Sequence, residues 1–135
     1  MLSSEAPHRR AWKTFLHSER TLRTEKRDYQ EWRKGRKRYA AWVLGVQSEA
    51  VRERFESARA HLSGFLLEPY FRQPHVTLFV CGFLGDVGRF EDDYTVDQLE
   101  CHVRELQAAE IQPFEITIGG ISSFAAAPFL EVFDV

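Results

Sequence analysis

The sequence predicts an α+β domain in which helices cover one face of a mainly antiparallel sheet. Three observations carry the prediction. An aromatic and β-branched run, Tyr39-Ala40-Ala41-Trp42-Val43-Leu44-Gly45-Val46, has the length of a strand and leads into an amphipathic stretch. A second apolar run starts directly behind Pro74. Two short segments of clean polar/apolar alternation follow near the C-terminal end.

Taken in order, residues 11 to 38 contain no proline and one glycine, Gly35, and Trp12, Phe15, Leu16, Leu22, Tyr29 and Trp32 recur near spacings of three, four and seven. That pattern predicts one long, highly charged helix with a narrow apolar stripe. The domain is expected to begin at Tyr39. Ser48 offers an N-cap, and Val51, Phe55, Ala58, Leu62 and Phe65 trace one helical face that ends around Ser63-Gly64. Residues 66 to 73 read as a loop, and the second strand opens at His75. Thr95 with Gln98 forms a capping-box pattern for a helix whose apolar side is Leu99, Val103 and Leu106, fading before Pro113. Phe114-Glu115-Ile116-Thr117-Ile118 alternates, Gly119-Gly120 breaks the strand, and residues 128 to 133 alternate again. The predicted order is β-α-β-α-β-β, preceded by the long N-terminal helix.

Length and charge divide the chain in the same place. At 135 residues one domain plus an appendage is expected: a basic helical extension over 1–38 and a single lobe over 39–135. The net charge of −2 conceals 12 Lys/Arg against 5 Asp/Glu in residues 1 to 38 and 6 against 15 in the rest. Such an arm contacts nucleic acid or folds onto the acidic body it complements. The run Arg33-Lys34-Gly35-Arg36-Lys37-Arg38 has two readings, an RNA-facing patch and a solvated helix end whose cations suit the C-terminal dipole.

No window reaches the roughly 18 apolar residues of a membrane span, and residues 1 to 7 lack the order of a signal peptide, so a cytoplasmic chain is expected. Cys81 and Cys101 stand apart, without Cys-x-x-Cys or Cys/His spacing, and read as reduced structural thiols. Glu91-Asp92-Asp93 precedes a helix start and reads as a complement to its dipole, and neither a metal nor another cofactor is expected.

The second strand carries the chemistry. Period-two alternation sets Val76, Leu78 and Val80 on a side expected to meet the helices, and His75, Thr77, Phe79 and Cys81 on the other. An imidazole and a hydroxyl about 7 Å apart on a rigid strand make half of a phosphodiester site. The histidine exchanges a proton with the entering or leaving oxygen, and the hydroxyl donates to a non-bridging one. In-line displacement needs a base on one side and an acid on the other, so one His-x-Thr supplies half of the machinery. Arg72, three residues earlier, is a candidate phosphate ligand or an ordinary loop arginine.

Pro74-His75-Val76-Thr77-Leu78, with an apolar run and Gly85 behind it, resembles the first His-x-Thr/Ser motif of the two-histidine (2H) phosphoesterase superfamily. The stretch from Tyr39 to Phe65 and the segment from Phe114 through Gly119-Gly120 to Phe124 are similar to its first lobe, so the resemblance covers roughly residues 39 to 135. It implies a bilobal fold in which one motif from each lobe faces a cleft, and metal-independent action on RNA 2',3'-cyclic phosphates or 2'-5' bonds. It also implies His75 as acid or base and Thr77 as a phosphate-holding hydroxyl. The second motif is missing: His8, His17, His61 and His102 are followed two residues on by Arg10, Glu19, Ser63 and Arg104. His61 and Ser63 fall in a predicted helix, where residues two apart diverge by about 200°. The second lobe is therefore expected from sequence beyond Val135 or from a partner copy in a homodimer, and an isolated monomer is expected to be nearly inactive. The alternative is a catalytically incomplete module for RNA binding or assembly.

Overall fold

The computed structural model describes residues 7–69 and 72–135. They form α1 (Pro7–Leu16), α2 (Gln30–Arg33), β1 (Tyr39–Gly45), α3 (Glu49–His61), β2 (His75–Gly85), β3 (Asp93–Thr95), α4 (Val96–Ala108), β4 (Ile116–Ser123) and β5 (Pro128–Asp134). The class is α+β. The chain gathers into two compact units: one contains α1, α3, β4 and β5, and the other is Arg27–Val46 with Gln73–Phe114, which holds α2, β1, β2, β3 and α4. Among the described residues no helix is long and apolar enough to cross a membrane.

In the β1–β2–β3 unit, β2 lies between its two neighbours. β1 pairs with it antiparallel from Tyr39↔Phe83 to Gly45↔His75, and β3 pairs with it parallel from Phe83↔Asp93 to Gly85↔Thr95. Phe83 and Tyr94 are the buried centre, at 1% and 3% exposed. The rings of Trp32, Tyr39 and Phe83 meet edge to face with centroids 4.7 to 4.9 Å apart. Gly82 sits at φ +118, where a Cβ would stand 2.3 Å from the Asp92 carbonyl oxygen, so the approach of the β3 strand requires glycine there. The foreseen capping box opens α4: Thr95 Oγ1 accepts from Gln98 N at 3.2 Å, and Gln98 Oε1 accepts from Thr95 N at 2.8 Å.

In the other unit, β4 and β5 form an antiparallel hairpin from Ile116↔Asp134 to Ser123↔Pro128. Ala58 of α3 and Ser122 of β4 are its buried residues. The glycine pair does not end β4. Partners step from Ile118↔Val132 to Ile121↔Leu130, so Gly119 and Gly120 together span Glu131 as a bulge. A Cβ on Gly119 would meet the Phe133 ring at 2.6 Å, whereas one on Gly120 would find nothing nearer than 3.7 Å.

Several expectations are corrected. The long N-terminal helix is two short ones. His17 Nδ1 and Ser18 Oγ turn back onto the carbonyls of Lys13 and Thr14 at the end of α1, which satisfies groups a longer helix would have used. Further on, Leu22 N donates to Ala125 O and Thr24 Oγ1 to Ala126 O, so pairing with the β4–β5 turn replaces helical bonding. α2 stops after one turn because Lys34 and Gly35 take φ of 48 and 80, the left-handed exit of a helix.

Among the described residues the strands pair mainly antiparallel, as expected, but in two sheets rather than one, since β4 and β5 pair with each other and the short β3 is parallel to β2. Residues 27 to 38 cluster with β1 and β2 in one compact unit. Finally, strict alternation along β2 is broken. The register passes over Cys81 between Ala40 and Ala41 and over Leu78 between Trp42 and Val43. Each bulge reverses the phase of the pleat, so Phe79 pairs with Trp42 and leaves the face of His75 and Thr77. Leu78 and Val80, expected beneath helices, are 56% and 50% exposed.

Candidate functional site

The first three residues of β2 precede both bulges, so here the alternation read from sequence holds. His75 pairs with Gly45 and Thr77 with Val43, while Val76 between them pairs with Leu44. On β1, Val43 and Gly45 are exposed positions and Leu44 is half-buried. His75 and Thr77 therefore leave one open face of the sheet, about 7 Å apart. Val46 N donates to Pro74 O at 3.3 Å, anchoring the strand where the imidazole begins.

The ring of His75 is oriented by its own chain. Nδ1 lies 2.9 Å from Gln73 O, and since a carbonyl only accepts, the ring proton sits on Nδ1. In the neutral ring the lone pair is then on Nε2, the nitrogen turned away from the backbone. Among the described residues the Thr77 hydroxyl has no hydrogen-bond partner, so it is available to a ligand.

Arg72 is exposed and belongs with the α3 and hairpin unit, whereas His75 belongs with the β1–β2–β3 unit. His61 ends α3 and Ser63 lies beyond it, so they form no strand-like pair. Two cavities of about 420 and 390 Å³ flank α2 and the Arg36 side chain, and neither is lined by His75 or Thr77. Among the described residues no group of three His, Cys, Asp or Glu is arranged to hold a metal ion.

The basic run is engaged within the fold. Arg33 meets Asp28 at 2.7 Å, and the Lys34 ammonium lies 4.4 Å from the Phe90 ring centroid. Arg36 lies over Phe83 at 3.9 Å and donates to both Asp92 and Asp93 at 2.6 Å. Arg36 holds both carboxyls below their usual range, Asp93 at about 2, with the backbone N–H groups of Arg89 and Phe90 adding to the effect on Asp93. The acidic triplet thus closes a loop on Arg36 as well as preceding α4. No sequence signal links residues 56 positions apart, and this clamp was not foreseen.

A second polar cluster surrounds Tyr94, whose hydroxyl shares a 2.7 Å hydrogen bond with His102 Nδ1. Burial pushes the phenol up, and neighbouring Cys81 adds to the shift. Both cysteines are free thiols, half-buried, and Cys101 Sγ donates to Glu105 at 3.7 Å.

Compared with family models, with curated proteins and with solved structures, the chain finds no match.

Proposed function

We propose that residues 39 to 135 are one lobe of a two-histidine phosphoesterase acting, without a metal, on RNA 2',3'-cyclic phosphates or 2'-5' phosphodiester bonds. The observation that carries this reading is the shared open face of His75 and Thr77, with Nδ1 of His75 tied to Gln73 O. The tie leaves Nε2 to accept a proton from the attacking oxygen or, once charged, to return one to the leaving oxygen. Thr77 Oγ1 donates to a non-bridging phosphate oxygen. The β-α-β-α-β-β sequence of elements from Tyr39 onward supports the lobe assignment, with the three-residue β3 inserted before α4. A second His-x-Thr or His-x-Ser comes from further sequence or from a partner copy, and the cytoplasm is where such RNA ends are met.

The test is titration of the protein with a 2',3'-cyclic nucleotide while the imidazole resonances are followed by NMR and turnover is measured from low micromolar to submillimolar protein. His75 signals should shift, and His75→Ala should lower turnover by about 10² to 10⁴. Unmoved His75 resonances, or equal turnover by both proteins, would remove His75 from the mechanism. A second reading, an assembly module without turnover, draws on the exposed Leu78-Phe79-Val80 triplet.

A further inference from the structure

We infer that the free part of the β2 edge pairs with β2 of a second copy of this chain, antiparallel and about a two-fold axis. β3 covers only Phe83, Leu84 and Gly85 on that edge. Among the described residues no strand pairs with residues 75–82 on the side away from β1, which leaves a row of outward N–H and C=O groups. Edges of this kind are ordinarily blunted by lysine, proline or inward charge. His-Val-Thr-Leu-Phe-Val-Cys-Gly contains none of these.

The chemistry of the edge selects its occupant. A partner must be extended, to satisfy main-chain groups, and apolar at its centre, where Leu78, Phe79 and Val80 are 56%, 59% and 50% exposed. The same strand from another copy meets both demands. Self-pairing of identical strands ordinarily suffers from like charges facing each other, and here there are none to face. In each copy β3 blocks pairing beyond Gly82, so the two open windows match in length and the axis falls near Leu78-Phe79. A strand pair of this size buries less than the roughly 1,200 Å² of a stable interface, so association belongs in the high micromolar range.

The axis runs normal to the sheet and leaves each face on its own side. Both His75–Thr77 pairs then project from one face of a continuous six-stranded sheet. Only that catalytic consequence rests on the phosphoesterase reading; the pairing stands on the edge alone.

Sedimentation velocity and amide hydrogen exchange over a wide range of protein concentration test the pairing. The expected result is a shift from monomer to dimer as concentration rises, with amides of residues 76–82 slowing in step. Phe79→Lys and, independently, Val80→Lys should leave the circular dichroism spectrum unchanged and abolish the dimer, while His75→Ala should still dimerise. A monomer at every concentration, a dimer that survives both lysine variants, or protection of these amides independent of concentration would overturn the inference. The last result would show the edge covered by the chain's own backbone.

Discussion

Arg36 reaches Asp93 at 2.6 Å with the two side chains only 14% and 7% exposed, so the carboxylate is held by a guanidinium that itself lies over the Phe83 ring. The pair ties the segment after α2 to the start of β3.

Because Asp93 is held at about 2 against an ordinary 3.8, its contribution is complete above the ordinary value and disappears as pH falls toward about 2. Acid unfolding followed by Trp32 and Trp42 fluorescence should therefore show wild type more stable than Arg36→Met above pH 3.8, with the two curves converging near pH 2. Parallel curves down to the lowest pH would mean that the pair does not stabilise the fold.

Gly82→Ala forces a side chain into a left-handed φ and against the Asp92 carbonyl oxygen. The expected loss is at least about 2 kcal/mol, read from urea denaturation. Gly64, also at positive φ but with nothing within 4 Å of its Cβ position, should lose less on the same substitution.

Thr95→Ala removes the hydroxyl that accepts from Gln98 N and should cost about 1 kcal/mol, while Thr95→Ser should cost little. Equal losses would place the role of Thr95 in packing rather than capping.

Tyr94→Phe should remove a phenol that ionises above the usual range from an ultraviolet pH titration, because burial holds Tyr94 there. Loss of the hydrogen bond to His102 should cost about 1 to 2 kcal/mol in the same variant.

What was legible in the sequence was local. Thr95 and Gln98 are three residues apart and decide the start of α4 between themselves, and the His75-Val76-Thr77 alternation needs only an unbroken pleat over three residues. What was not legible depends on distant partners. The apolar spacing of Leu22 suits a helix, yet its amide is taken by Ala125, and Arg36 in a basic run looks free until Asp92 and Asp93 arrive from the β2–β3 loop. The bulges at Leu78 and Cys81 are likewise invisible, because nothing in an apolar run marks which residue its neighbour strand will pass over.

The two adjacent glycines of β4 differ in what they allow. Phe133 lies against the first like a lid, and the second meets only the Glu131 carboxylate, at 3.7 Å. As sequences of this kind drift, position 119 should stay glycine for as long as 133 stays aromatic, and position 120 should wander freely. A library randomised at both sites and selected for folding would show the asymmetry directly.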